Sequence, residues 1–336
     1  MLTQYDALPS GLLDLPASRL GEVLPGPTLI HLPGRRTPPL FVSVLLHGNE
    51  GTGWLAAQSV LKKYAAAELP RALSLFIGNV EAARSGLRRL DGQPDYNRVW
   101  PGSEEAHSAE LAMMQQVVDA MRARGVFASI DIHNNTGLNP HYACVNRLDQ
   151  DFLHLAALFS RIVVYFIRPR GVQSAAFAEL CPAVTVECGK PGMPDSVEHA
   201  AAFMEAGLHL AEFPVHPVPP HDVDLFHTVA TIRVPEQSSF GFNAPAADID
   251  FVPELDHFNF RELKHGDLLG RVRQDSPARL QALDENGEDI GARLFDYRHG
   301  EITLRQPLMP AMLTRDERVI RQDCLCYLME RIKTPV

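Results

Sequence analysis

An apolar run, Leu40-Phe41-Val42-Ser43-Val44-Leu45-Leu46, breaks off into His47-Gly48-Asn49-Glu50-Gly51. A run this short and this apolar reads as a buried strand. Open α/β sheets carry their sites beyond the C-terminal ends of such strands, which is where these polar groups fall. Gly48 permits a bend that turns His47 and Glu50 toward one ion. Taken alone, His-x-x-Glu is short and common, and a helix cap beside an unrelated histidine explains it equally well. Other strand ends must decide between the two.

The chain has 336 residues, enough for one large domain or two ordinary ones. A net charge of -10 argues against non-specific nucleic-acid binding, which needs a basic surface. It leaves room for a small anion in a locally basic pocket. No apolar stretch approaches the roughly 18–20 residues that span a bilayer. The N-terminus lacks a basic region followed by an apolar core, so no signal peptide is expected. The five cysteines, Cys144, Cys181, Cys188, Cys324 and Cys326, are irregularly spaced and form no Cys-x-x-Cys pair. They read as reduced, mostly buried thiols of a cytoplasmic protein.

Residues 1–38 are rich in Pro, Gly and Leu and read as an N-terminal extension packed on the next domain, with one strand near Thr28–Leu32. From 39 to 212, apolar runs alternate with amphipathic segments. Strands are expected at 39–46, 73–77, 126–132, 142–145, 162–167 and 183–186. Helices are expected at 52–67, 103–124, 151–160, 175–180 and 195–210. Arg84 to Pro101 reads as a polar loop. This pattern predicts an α/β domain whose largely parallel sheet is flanked by helices. A Pro-rich connection from Phe213 to Pro220 marks a boundary. Beyond it, 213–336 reads as a smaller all-β domain with strands at 227–234, 268–273, 279–283, 292–295, 301–304 and 318–321.

Two further strands of the first domain also end in polar chemistry. One runs into Asp131-Ile132-His133-Asn134, the other into Glu187-Cys188-Gly189. Parallel strands bring their C-termini to one sheet edge, so these groups converge despite their separation in sequence. His47, Glu50 and His133 form a two-His, one-carboxylate set. On tetrahedral zinc it leaves an open position, as catalytic sites do. A separate carboxylate is then needed to move protons, and Glu187 is the candidate. Asp131 reads either as a partner that orients His133 or as a solvated strand end.

Arg84, Arg88, Arg89 and Arg98 fall within fifteen residues of an otherwise acidic chain. Guanidinium groups bind carboxylates through two parallel hydrogen bonds. About two of the four are expected to face a substrate, with Asn97-Arg98 favoured, and the rest to be solvated. His107, His141, His154 and His209 read as surface or packing histidines.

Four segments together resemble the succinylglutamate desuccinylase/aspartoacylase family of the zinc carboxypeptidase superfamily. They are His47-Gly48-Asn49-Glu50, Asp95-Tyr96-Asn97-Arg98-Val99-Trp100-Pro101-Gly102, Asp131-Ile132-His133-Asn134-Asn135-Thr136 and Val186-Glu187-Cys188-Gly189. Their order and rough spacing agree from about 40 to 212. Leu263-Lys264-His265-Gly266-Asp267 resembles a segment of the family's C-terminal part. The resemblance implies a zinc-carboxypeptidase-like fold, with one zinc ion per chain held by His47, Glu50 and His133. It implies Glu187 as general base and then acid, and Asn97 and Arg98 on a substrate carboxylate. Asn134 would also contact substrate. Arg88, or Arg89 by a shift of one, would help to polarise the scissile carbonyl. The family's arginine about ten residues before the catalytic Glu is here Phe177, which implies a substrate side chain less acidic than aspartate. Glu301 matches a glutamate beside the family's C-terminal tyrosine.

The combined reading is a zinc-dependent deacylase, hydrolysing the amide bond of an N-acyl amino acid or similar small carboxylate-bearing molecule. It acts without nucleic acid or membrane and is compatible with a homo-oligomer. The rivals are a metallocarboxypeptidase acting on peptide C-termini and a zinc-containing binding protein without turnover. Glu187 speaks against the last, because a non-catalytic site needs no general base.

Overall fold

The computed structural model describes residues 1–105 and 107–334. Ala106, inside the expected helix 103–124, and residues 335–336, at the end of the expected second domain, lie outside them. The chain divides into two compact units. The first is chiefly Met1–Asn134 with His141–Leu225, the second Asn135–Pro140 with Phe226–Ile332.

In the first unit the elements run β1 (Thr3–Tyr5), β2 (Thr28–Leu32), β3 (Leu40–Val44), α1 (Thr52–Lys63), β4 (Leu73–Ile77), α2 (Val80–Ser85), α3 (Ala109–Arg124), β5 (Ala128–His133), β6 (Tyr142–Val145), α4 (Gln150–Ala157), β7 (Ile162–Tyr165), α5 (Gln173–Phe177), β8 (Ala183–Glu187) and α6 (Pro194–His209). The strand order is β1-β2-β4-β3-β5-β8-β6-β7. β4, β3, β5 and β8 are mutually parallel; β2 and β6 enter antiparallel to β4 and β8. The result is a mixed, largely parallel sheet flanked by helices, as expected from its near-continuous apolar runs.

Register sorts the two faces. Leu40, Val42 and Val44 of β3 share one face with Ile130 and Ile132 of β5. α1 and α6 cover it closely. A Cβ on Gly53 would sit 3.0 Å from Val44 and Ile132, and one on Gly207 would sit 3.2 Å from Leu40. Phe41 and Ser43 share the opposite face with Ser129, Asp131, His133, Thr185 and Glu187. There Phe177 of α5 stacks on Phe41 with ring centroids 4.2 Å apart.

Several expected boundaries move. The strand at 39–46 stops at Val44 because Leu45 turns left-handed, with φ 56°. The helix expected from Ser103 begins at Ala109, where the Ser108 hydroxyl accepts from Leu111 N–H. The Ser103 hydroxyl is occupied in a preceding turn, donating to Arg98 O. Helix α2 was not expected. Asn79 caps its start and Gly86, with φ 63°, ends it. The Pro-rich stretch stays with the first unit. Phe213 stacks on Phe127, and Val218 N–H donates to Gln150. The division therefore falls at Leu225/Phe226 rather than 212/213.

The second unit contains β9 (Asp224–Arg233, whose first two residues belong to the first unit), β10 (Phe240–Phe242), β11 (Ile249–Phe251), β12 (Leu268–Val272), β13 (Gln281–Leu283), α7 (Gly291–Leu294), β14 (Phe295–Asp296), β15 (Glu301–Leu304), β16 (Met309–Ala311), α8 (Glu317–Gln322) and β17 (Cys326–Arg331). One sheet has the order β10-β11-β12-β15-β14. In the other, β9 pairs antiparallel with β13 and β17, and β16 pairs with β17. Ile232, Phe251, Leu280, Phe295, Ile302 and Leu328 belong to its core. Two expected strands, 292–295 and 318–321, are instead largely the short helices α7 and α8. The Asp316 carboxylate fixes the second by accepting from Arg318 and Val319 N–H. All five cysteines are free thiols. Among the described residues no helix is long and apolar enough to cross a membrane.

Candidate metal centre

Chain geometry at the end of β3 aims the first histidine. Leu45, fully buried at a positive φ, swings the chain out of the strand, a conformation that costs a β-carbon residue about 1–3 kcal/mol. Gly48 then passes against the backbone of α2. A Cβ there would lie 2.2 Å from Ala83 N and 2.7 Å from Leu87 O. This close approach lets Gly48 N–H donate to Arg88 O at 3.1 Å, tying the turn to the arginine-rich segment. Glycine is needed here for contact rather than for a bend alone.

His47, Glu50 and His133 converge, all buried, with one potential ligand atom from each within 4.8 Å of the others. His47 Nδ1 lies 2.8 Å from one Glu50 oxygen, and His133 Nδ1 lies 2.7 Å from the other. Each imidazole is held from behind. His47 Nε2 lies 3.0 Å from Asp95 Oδ1, and His133 Nε2 lies 2.7 Å from Asp131 Oδ2. An imidazole that donates Nε2–H to a carboxylate presents its Nδ1 lone pair forward, the arrangement metal-binding histidines adopt.

Without a cation the surrounding carboxylates favour protonated imidazoles, and a bound cation would replace those protons. Burial pushes Glu50 up, but the two imidazoles outweigh it and hold the carboxyl well below its usual range. Burial pushes His133 down, yet Asp131 and Glu50 lift it well above the usual imidazole value. Burial and Arg88 push His47 down, and Glu50 and Asp95 outweigh them. Glu50, Asp95, Asp131 and Arg88 together carry a net charge of about −2 with both imidazoles neutral, the complement of a divalent cation. The donor set, two nitrogens and a carboxylate, suits zinc. The residues therefore fit the ion that the sequence implies.

Glu187 is buried at the end of β8, directly opposite His133 in the parallel register. Cys188 N–H donates to His133 O at 2.9 Å. Arg88, not Arg89, reaches the centre. Its Nε and Nη2 donate to Asp95 Oδ2 at 3.1 and 2.9 Å, and its Nη1 lies 3.8 Å from Glu50. Arg89 instead donates to Gln93 O at 2.7 Å. Arg98 is half-buried, and its Nη1 donates to Asn97 O at 2.8 Å.

Two expected substrate contacts are engaged with protein groups. Asn97 Oδ1 accepts from Gln173 N–H at 2.9 Å. Its Nδ2 lies 3.3 Å from His133 Nε2. Since that nitrogen already donates to Asp131, two donors face each other and the contact is not a hydrogen bond. Asn134 N–H lies 3.2 Å from Glu50 Oε2. Its side chain accepts from Thr52 N–H and donates to Gly189 O at 2.9 Å, joining the start of α1 to the segment after Glu187. Phe177 corrects an expectation more firmly. It is fully buried between Phe41 and Trp100, so it does not stand at a substrate-reading position, and nothing about the substrate's acidity follows from it. Arg170, the nearest arginine upstream of it, lies 3.3 Å from Glu104, and Arg168 pairs with the same carboxylate at 2.8 and 3.0 Å. Glu301, in the second unit, pairs with Arg271 at 3.2 Å.

Asp131 proves to be a fully buried brace rather than a solvated strand end. Asp95 has the equivalent place behind His47, a role the sequence reading missed. The available signal was a lone carboxylate two residues before Asn97, but its partner lies 48 residues away.

A search of curated protein sequences gives no match. Among solved structures, succinylglutamate desuccinylase from Chromobacterium violaceum is similar with a TM-score of 0.58 at 16% identity, covering 90% of this chain and 87% of that one. The succinylglutamate desuccinylase from Vibrio parahaemolyticus gives 0.59 at 15%, covering 90% and 84%. Murine aminoacylase 3 gives 0.56 at 14%, covering 89% and 98%. At such identities the likeness is one of fold. The sequence itself matches the family model described as "Succinylglutamate desuccinylase/Aspartoacylase catalytic domain" over residues 36–210, a span that takes in His47, Glu50, His133 and Glu187. Because that match extends over more than half of the chain, the protein belongs to the succinylglutamate desuccinylase/aspartoacylase family.

Proposed function

We propose that this chain is a zinc-dependent deacylase that hydrolyses the amide bond of an N-acyl amino acid or a similar small substrate bearing a free carboxylate. The observation that carries the reading is the pair of imidazoles presenting Nδ1 to one glutamate, each backed by its own carboxylate. His47, Glu50 and His133 would hold one ion. Zinc supplies Lewis acidity when bound, polarising a carbonyl and making water easier to deprotonate.

The chain's own groups do the rest. Glu187 takes a proton from the attacking water and returns one to the departing amine, so that the C–N bond breaks to a carboxylic acid and an amine. Its place opposite His133, at the same sheet edge, supports this role. Arg88, buried beside Glu50, adds positive potential where negative charge develops on the carbonyl oxygen. Arg98 takes the substrate carboxylate. Asn97 and Asn134, engaged with protein groups, set the segments around it.

The test is metal analysis followed by amine release from a panel of N-acyl amino acids, their esters and short peptides. The expected result is about one zinc per chain, lost in His133→Ala, and turnover of the free acids that a chelator stops and zinc restores. Equal turnover of esters would remove the carboxylate anchor. Preference for peptides would favour a carboxypeptidase, and zinc binding without any turnover would favour a binding protein.

A further inference from the structure

Ser43 is a hydroxyl in an otherwise apolar strand, flanked by Phe41, Val42 and Val44. The parallel register of β3 and β5 sets it directly opposite Asp131. Both side chains have no exposed surface. Ser43 Oγ–H donates to Asp131 Oδ1 at 2.6 Å, and Asp131 Oδ2 accepts from His133 Nε2–H at 2.7 Å. A chain of three buried groups thus ends on one histidine of the metal centre.

The other histidine is braced differently. Asp95 also faces its imidazole with one oxygen, at 3.0 Å, but its second oxygen lies on the Arg88 guanidinium. A guanidinium draws the carboxylate's charge toward itself and away from the imidazole. A hydroxyl orients a carboxylate while leaving that charge largely in place. The shorter contact, 2.7 against 3.0 Å, falls on the histidine whose carboxylate has the neutral partner.

We propose that Ser43 is a positioning residue for the metal centre: its hydroxyl locks the Asp131 carboxylate, without neutralising it, in the orientation that aims His133 Nδ1, and so strengthens the hold on a divalent cation. This rests on the zinc reading given above. Ser43 touches neither the ion nor the substrate. Its removal leaves a buried carboxylate oxygen without a donor and lets the Asp131–His133 pair turn.

The experiment is a zinc titration against a chromophoric chelator, with thermal melts of the metal-free proteins as a check on folding. Ser43→Ala should raise the zinc Kd about tenfold, the lower end of the range for groups that support metal ligands. Ser129→Ala removes a buried hydroxyl from the same face of β5 that bonds Gln173 rather than Asp131, and should stay within about twofold of the parent. Ser43→Cys, close in volume but a weaker donor, should give a smaller rise, and it serves if the alanine variant does not fold. With Co²⁺ in place of zinc, the visible absorption band should shift in Ser43→Ala and not in Ser129→Ala. An unchanged Kd and band in the Ser43 variants, or equal changes in Ser129→Ala, would overturn the proposal. A parent protein that binds no zinc would instead overturn the underlying metal reading, and this inference with it.

Discussion

The Arg88 guanidinium lies along one oxygen of Asp95, with Nε at 3.1 Å and Nη2 at 2.9 Å, and both side chains are shielded from water. Burial pushes the Asp95 carboxyl up, and Arg88 with His47 holds it well below its usual range nonetheless. Arg88→Met would leave that charge buried without its cation, at a cost of about 3–5 kcal/mol. The check is urea unfolding of the metal-free protein. Adding Asp95→Asn should recover part of the loss, whereas simply additive losses would show that the two side chains act independently.

Glu187→Gln keeps the shape of the side chain and removes its basicity. Zinc content should be unchanged and kcat for amine release should fall by about 10²–10⁴-fold. Undiminished turnover would take Glu187 out of the mechanism, and loss of zinc would make it part of the metal-holding set instead.

Phe177 stacks on Phe41 and meets Trp100 edge-on, at 4.2 and 6.0 Å between ring centroids. Phe177→Ala should therefore cost about 3–5 kcal/mol in unfolding free energy. The ranking of N-acyl amino acids by kcat/KM should not change. A reordered ranking would mean that this position reads substrate after all.

Hydrogen bonds from Ser239 push the Asp248 carboxyl, in the second unit, down to about 2. The Ser239 hydroxyl and N–H stabilise its charged form most, at 2.7 and 2.9 Å, and Arg273 adds to them at 3.0 Å. Because the folded value lies below the unfolded one of about 3.9, the carboxylate's contribution to stability is fully present above about pH 4 and lost as pH falls through about 2. Denaturant midpoints for the parent and Asp248→Asn should therefore differ at pH 5 and converge near pH 2. A gap that stays constant over that range would contradict the assignment.

Much of the fold was legible because buried parallel strands are written as unbroken apolar runs, and their ends show as abrupt polar breaks. That local signal located His47, Glu50, His133 and Glu187. It failed at α7 and α8, where a few apolar residues fit a strand as well as a short helix and the Asp316 cap decides one of them. It failed at Phe177, whose place relative to Glu187 suggested a substrate contact while its ring belongs to the core.

By itself the sequence determined which residues are metal-competent and that they stand at strand ends, since both properties depend on neighbours only a few positions away. The tertiary structure alone decided which groups stand behind them: Asp95 and Arg88 behind His47, Asp131 and Ser43 behind His133. Those pairings depend on which strands lie side by side and in what register, and on where a distant loop folds back. Both are set by the joint packing of segments far apart in the chain, and no local pattern of residues carries that information.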